Sequence, residues 1–167
     1  MREISVKVNG MTRKRIVKDN ELLLDFLRER VEVRSVKAAC WRGECGLCTV
    51  MLDGHLVKSC LVLAVEADGS EVKTVEGITS DGELTPIQKA FVSHGAAQCG
   101  FCTPAWVLAT YELLRTNPHP SDADLVEATS GLVCRCGTYN QIRDAVAEVS
   151  SATKGHRQPR ESLARAR

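Results

Sequence analysis

The chain has 167 residues, of which 44% are apolar, and its 22 basic side chains nearly balance its 21 acidic ones. The apolar content is sufficient for a packed core, and the length allows one ordinary domain or two small ones. A net charge of +1 creates no long-range field that would attract DNA or an anionic membrane. Aromatic residues are too scarce, at 4%, to stack on single-stranded nucleic acid. We therefore expect no nucleic-acid partner and, since no run of about 18 apolar residues occurs, no membrane span.

Residues 2–9 alternate polar and apolar side chains, as a half-buried strand does. This beginning is typical of a folded domain rather than of a secretory signal, so we expect the protein in the cytoplasm. Disulfides are rare in that compartment. The eight cysteines therefore need another explanation, and metal binding is the leading one.

Strand patterns dominate the first half of the chain. The Asn9-Gly10 pair favours a tight hairpin, and Asn20 is suited to cap a short helix with an apolar stripe. Residues 36–47 form a loop rich in cysteine and glycine. Further strands are predicted at 13–17, 48–52, 55–59 and 71–75.

Helical spacing replaces this alternation after Gly77. Thr103, directly before a proline, has the form of an N-cap, and Ser121 with Asp124 resembles a capping box. The predicted helices are 84–94, 104–116, 122–130 and 139–150.

This change of pattern predicts an α+β chain with a domain boundary near residues 77–82. A sheet-and-helix domain is expected at 1–78 and an all-helical domain at 79–152. Residues 153–167 are rich in arginine and poor in apolar side chains, and we expect a basic flexible tail there.

The first four cysteines have the spacing C-x4-C-x2-C-x11-C. The opening C-x4-C-x2-C is the plant-type 2Fe–2S spacing, in which the fourth ligand comes from another element. Gly43 and Gly46 let the loop curl tightly and direct backbone amides at sulfur, and such N–H···S bonds help to set a cluster's reduction potential. This first set comprises Cys40, Cys45, Cys48 and Cys60.

The other four cysteines form a CGFC and a CRC motif. Each motif lies where a predicted helix begins or ends, so two loops can face each other and offer two thiolates apiece. This second set comprises Cys99, Cys102, Cys134 and Cys136.

Two zinc sites would also use eight thiolates. Zinc ribbons, however, usually have CxxC in both halves of one site, whereas here the two CxxC pairs fall in different sets. Iron and labile sulfide analysis, with reduced-state EPR, distinguishes the two, and a colourless zinc protein would contradict the iron–sulfur interpretation. No catalytic triad or phosphate loop is evident, and the histidines are scattered along the chain at His55, His94, His119 and His156.

The cysteine motifs resemble those of the small iron–sulfur subunit of the molybdenum hydroxylases. This family includes xanthine dehydrogenase, carbon monoxide dehydrogenase and aldehyde oxidoreductase. The resemblance covers roughly residues 3–150 and uses all eight cysteines. The segments that carry it are CWRGECGLCTVMLDG (40–54), KSC (58–60), QCGFCTPA (98–105) and CRCGTYNQI (134–142).

The resemblance implies a β-grasp ferredoxin-like domain followed by an all-α four-helix domain, each with one 2Fe–2S cluster. In this family the helical-domain cluster lies nearer a molybdopterin on a large catalytic subunit, and the positions matching Gln98 and Cys136 are the ones expected to contact it. The other cluster then faces a medium FAD subunit or a cytochrome. The chain would relay electrons one at a time from the molybdenum site to that acceptor. It would have no catalytic site of its own, and the assembly would be a heterotrimer or a dimer of heterotrimers.

Some positions depart from the family pattern. Ala39 stands where glycine is frequent, and Trp106 where methionine is frequent. The Gly-Thr-Tyr order at 137–139 resembles the isoquinoline oxidoreductase and nicotinate dehydrogenase branch, some of whose members use a cytochrome in place of flavin. Phe101 and Trp106 are expected to border a cluster that a partner covers, although for Trp106 a core position is the commoner role.

A freestanding two-cluster ferredoxin that shuttles among partners is the alternative function. Soluble ferredoxins are usually strongly acidic, and the near-neutral charge of this chain favours a fixed assembly. Gel filtration distinguishes the two, because a shuttle would elute as a single small chain that holds both clusters.

Overall fold

The computed structural model describes residues 1–79 and 82–153, without the side chain of Thr153. Apart from that residue's backbone, the predicted basic tail lies outside the described residues, as do positions 80 and 81 of the predicted boundary.

One mixed sheet occupies the first half of the chain. The predicted strands are confirmed with small shifts in their ends. The strands are β1 (Arg2–Val8), β2 (Met11–Val17), β3 (Thr49–Leu52), β4 (His55–Lys58) and β5 (Glu71–Lys73). Their order in the sheet is β2-β1-β5-β3-β4, in which β1 and β5 are parallel and all other neighbours are antiparallel.

A short helix packs its apolar side chains against this sheet. Helix α1 (Leu23–Asp25) continues as a π-helical turn, Phe26–Arg30, and their buried leucines and phenylalanine share one core cluster with β1, β3 and β5. The predicted cap at Asn20 is wrong. The residue before the helix is Leu22, which makes no side-chain cap, and the Leu23 N–H instead donates to the Val62 carbonyl at 2.8 Å. A contact with a distant segment thus replaces the local cap.

Four longer helices follow the sheet and share a second core cluster. The Ser121–Asp124 capping box is confirmed. A second box, Thr85 with Gln88, starts the first of these helices two residues later than predicted. The helices are α2 (Pro86–Ser93), α3 (Thr103–Thr116), α4 (Asp122–Thr129) and α5 (Tyr139–Thr153).

The predicted N-cap at Thr103 is wrong. Helix α3 starts at Thr103 itself, its N-cap is Cys102, and no side chain caps it. Cys102 therefore lies at the point where the chain enters the helix. Among the described residues, every helix falls short of the length and apolarity that a membrane crossing requires.

Candidate metal centres

The first set is assembled from one loop and one turn. Cys40, Cys45 and Cys48 lie in the loop before β3, and Cys60 lies in the 3-10 turn Ser59–Leu61 after β4. The backbone N–H and hydroxyl of Ser59 both donate to the Cys48 carbonyl, at 3.3 and 2.7 Å. This pair of bonds brings the turn that carries Cys60 against the loop.

Backbone amides surround the sulfur of Cys40. The N–H groups of Cys45 and Arg42 each point at its Sγ, at 3.4 Å. These donors, Cys45 first, lower the pKa of the Cys40 thiol to about 6. The loop achieves this through positive φ angles at Gly43 and Gly46, as the sequence predicted. The geometry therefore favours a thiolate at this position before any metal binds.

The second set is built from two loops at helix ends. Cys99 and Cys102 precede α3, and Cys134 and Cys136 lie between α4 and α5.

Side chains that follow the CRC motif hold Cys134. Its backbone N–H donates to the Tyr139 hydroxyl at 3.0 Å, and its Sγ lies 3.2 Å from the buried Thr138 hydroxyl. Burial alone would raise the pKa of the Cys134 thiol, but hydrogen bonds, from Thr138 first and then from Cys102 and Cys136, together outweigh it and lower the pKa to about 7. Thr138 and Tyr139 were noted in the sequence only as a departure from the family pattern. A threonine and a tyrosine directly after two predicted ligands were the available signal for this role.

Each set combines two thiols near the surface with two in the core. In the first set Cys40 and Cys45 are half-buried, whereas Cys48 and Cys60 are buried. In the second set Cys99 is exposed and Cys136 half-buried, whereas Cys102 and Cys134 are buried. Each set thus has an outer pair near the surface and an inner pair in the core. The outer pairs are Cys40/Cys45 and Cys99/Cys136, and the inner pairs are Cys48/Cys60 and Cys102/Cys134.

The pKa values of the thiols follow the division into outer and inner pairs only in part. Burial raises the pKa of Cys48 to about 11 and that of Cys102 to about 12, whereas the backbone N–H of Phe101 lowers the pKa of Cys99. A buried thiol prefers its neutral form until a cation compensates the charge. Cys48 and Cys102, one in each inner pair, are therefore the thiols whose ionisation depends most on bound metal.

The number of thiols in each set fits a two-iron cluster. A 2Fe–2S cluster takes four cysteine thiolates in all, and each set offers four. Among the described residues, no group of three or more Cys, His, Asp or Glu side chains is arranged to hold one metal ion. Two buried polar atoms beside the second set also lack a protein partner, the Thr103 hydroxyl and the Trp106 indole nitrogen. The donor set suits a group with two metal atoms and acceptor sulfurs.

The two sets are joined through backbone. The N–H of Val133, next to Cys134, donates to the carbonyl of Cys45 at 3.0 Å. Gly46 lies so close to the neighbouring chain that a Cβ there would stand 2.1 Å from the Gly131 carbonyl oxygen. The sequence offered no signal for this contact, because the two loops are far apart along the chain.

A lysine reinforces this junction. Lys58 Nζ donates to the Gly43 carbonyl at 2.5 Å, and the space beside Gly131 is bounded by the same ammonium group.

The remaining predicted residues lie in different surroundings. Gln98 is exposed directly before Cys99, and Phe101 is 44% exposed with the Lys37 ammonium 5.7 Å from its ring centre. Trp106 is only 4% exposed, which confirms the core position expected for it as the commoner role. Its ring meets that of Tyr139 edge-on, with 5.6 Å between centroids.

The histidines form no common site in the described part of the chain. His94 bonds to Glu148 at 2.6 Å, His119 lies 3.5 Å from the Ser150 hydroxyl, and His55 is exposed in β4. His156 lies outside the described residues.

Comparison with known proteins follows the same division of the chain. Residues 6–77 match the model of the 2Fe-2S iron-sulfur cluster binding domain, and residues 74–147 match that of a second 2Fe-2S binding domain. The chain is 46% identical to the nicotine 6-hydroxylase small subunit of Paenarthrobacter nicotinovorans over 86% of its own length and 87% of that protein. It is 43% identical to the nicotinate dehydrogenase small FeS subunit of Eubacterium barkeri, over 86% of its own length and 91% of that protein. Among solved structures, a chain of quinoline 2-oxidoreductase from Pseudomonas putida 86 superposes with a TM-score of 0.87 at 39% identity, covering 93% of this chain and 97% of that one.

Proposed function

Because the chain belongs to the family of small 2Fe–2S subunits of the molybdenum hydroxylases, we propose that electrons enter it at the second cysteine set and leave it at the first. The protein carries two 2Fe–2S clusters and transfers electrons as part of an oxidoreductase. Each cluster, when bound, takes up and releases one electron at a time.

The observation that carries this proposal is the bond between Val133 N–H and the Cys45 carbonyl. It joins a proposed ligand of the first cluster to the residue next to a proposed ligand of the second. Electron tunnelling is faster through bonded atoms than through space, so this contact supports transfer between the two sets. The packing of Gly46 on Gly131 keeps the two backbones in contact along the same stretch.

The entrance is proposed at the outer pair of the second set. Gln98, Cys99, Gly100 and Phe101 are consecutive exposed residues, and they leave this edge open to another protein. We propose that Gln98 and Cys136 contact a molybdopterin there, held by a large partner subunit. The names of the relatives, which call them small subunits, support such an assembly for this chain.

The exit is proposed at the outer pair of the first set. Trp41, next to Cys40, is 48% exposed, and Leu61, next to Cys60, is 63% exposed. Apolar groups at the surface beside two predicted ligands favour close approach of an acceptor. The proposed acceptor is a medium FAD-binding subunit or a cytochrome. The proposed assembly is a heterotrimer or two heterotrimers joined.

The domain organisation is part of the proposal. A β-grasp domain at 1–78 is supported by the strand order and by α1 packed on the sheet. A four-helix domain at 79–152 is supported by the separate core cluster of α2 to α5. A cytoplasmic location is supported by the eight free cysteines.

Cysteine replacement in the purified complex tests the order of transfer. The reductant is whichever of nicotine, nicotinate and quinoline, the compounds named in the related proteins, reduces the wild-type complex. In Cys45→Ser, we expect that substrate still reduces the second cluster, whereas the first cluster's EPR signal changes and delivery to the acceptor slows. In the matched variant Cys99→Ser, we expect that substrate reduces neither cluster at the normal rate. Loss of second-cluster reduction in Cys45→Ser would show that the order is reversed.

A further inference from the structure

The indole of Trp106 carries a donor without an acceptor. The residue is 4% exposed, and within the described chain its Nε1–H has no hydrogen-bond partner. Leaving a buried donor unpaired costs the full desolvation penalty of that group, so an N–H that persists in a core usually has an acceptor. The acceptor of the Trp106 indole N–H is therefore expected on a group that the chain binds.

Trp106 lies beside the inner pair of the second set. It follows Cys102 by four residues on α3, and its backbone N–H donates to the Cys102 carbonyl at 3.3 Å. Side chains four apart share a helix face and lean toward the helix N-terminus, which directs the indole back over Cys102.

A contact of the indole ring also connects Trp106 with Cys134. Trp106 packs edge-on against Tyr139, and the Tyr139 hydroxyl accepts the Cys134 N–H. Trp106 is thus linked to Cys102 through the first turn of α3 and to Cys134 through Tyr139. Trp106 shares one core cluster with both cysteines.

We infer that Trp106 donates its indole N–H to a sulfur of the second 2Fe–2S cluster and thereby raises the reduction potential of that cluster. The sulfurs of a cluster accept hydrogen bonds, and such bonds are among the means by which a protein sets the potential. Negative charge on the sulfurs grows when the cluster is reduced, so a donor stabilises the reduced state more than the oxidised one. This inference rests on the proposed function, because it requires a cluster at the second set. It makes the proposed entrance cluster a better electron acceptor.

An EPR-monitored redox titration of the intact complex tests this role. Trp106→Phe keeps an aromatic ring and removes the donor, and we expect a more negative potential for the second cluster with that of the first unchanged. The matched control is Trp41→Phe, which removes an exposed indole and should leave the second cluster's potential at the wild-type value. A second-cluster potential that does not move in Trp106→Phe would overturn the inference and leave Trp106 as a packing residue.

Isotope labelling keeps the test valid if Trp106→Phe fails to fold. The chain has two tryptophans, so Trp41→Phe leaves Trp106 as its only indole. With 15N-indole tryptophan incorporated, electron–nuclear double resonance on the reduced second cluster should detect coupling to the indole nitrogen and to its exchangeable proton. Clusters present without this coupling would refute the hydrogen bond alone, whereas a protein without 2Fe–2S signals would refute the proposed function.

Discussion

In the first cysteine set, backbone amides hydrogen-bond to the outer thiol of Cys40. In the second set, side-chain hydroxyls hydrogen-bond to Cys134, one of the inner pair. Two amides from one glycine-containing loop point at Cys40, and the hydroxyls of Thr138 and Tyr139 hold Cys134. A loop that works through its amides depends on backbone angles and tolerates many side chains. A site that works through hydroxyl groups depends on particular residues. The first set should therefore be sensitive to changes at glycine, and the second to changes in the polar and aromatic side chains around it.

The largest loss of unfolding free energy is expected from Gly46→Ala. At a φ of +71° the new Cβ would meet the Gly131 carbonyl oxygen at 2.1 Å and Leu132 at 2.6 Å. Left-handed strain and overpacking together should lower the free energy of unfolding by about 2–4 kcal/mol. Because Gly131 leads toward Cys134, we expect both EPR signals to change, which chemical denaturation and EPR would measure.

Gly10→Ala is the control for backbone strain alone. Gly10 has a similar φ of +82° with nothing within 4 Å of a Cβ, so only about 1–2 kcal/mol should be lost. If Gly46→Ala cost no more than Gly10→Ala and changed only the first signal, the two loops would be less tightly joined than the structure indicates.

A smaller effect is expected from Tyr139→Phe. The change leaves the Cys134 N–H without its acceptor, and we expect a loss of about 1–2 kcal/mol in unfolding free energy. The second cluster's EPR signal should change while the first stays as in the wild type. Tyr111→Phe, at the other tyrosine, beside Met51 and Arg115, should alter neither signal. Equal changes in both clusters would contradict the assignment of this hydroxyl to the second set.

The smallest effect concerns acid sensitivity of the sheet. Asp53, in the β3–β4 turn, accepts the Glu71 N–H at 2.7 Å, and this bond, together with the Ser70 hydroxyl, holds the pKa of Asp53 below its ordinary value. A lowered folded pKa contributes stability that is present above the unfolded pKa, about 4, and is lost as pH falls through the folded value.

Asp53→Asn removes this titration and keeps a side-chain oxygen at the turn. We expect the difference in unfolding free energy between neutral and acid pH, followed by circular dichroism, to be smaller in the variant than in the wild type. Asp124→Asn is the counterpart in the helical half, where Ser121 lowers the pKa of the capping carboxylate. A wider acid–neutral difference in either variant would contradict the sign of these shifts.

The sequence predicted the elements well where the signal was local. Alternation located the five strands, helical spacing located the four long helices, and Ser121 with Asp124 marked the start of α4. Two caps were predicted wrongly, at Asn20 and Thr103, for related reasons. The free N–H of Leu23 is satisfied by Val62, which lies 39 residues further along the chain. At Thr103 the helix starts one residue earlier than predicted, because Cys102 occupies the cap. A residue's local preference for the N-cap is overridden where a tertiary contact satisfies the free N–H or where a predicted metal ligand occupies the cap position.

What the sequence determined by itself was the cluster type and the family, because residue pattern is a property of the chain. Ligand spacing also predicts the division of the eight cysteines into two sets. What only the tertiary structure decided was which thiols of each set are buried, the burial of Trp106 and the Val133–Cys45 bond between the sets. These depend on contacts between residues that are distant along the chain, and no spacing along a sequence encodes such contacts. The route by which the two sets communicate is therefore a property of the packing.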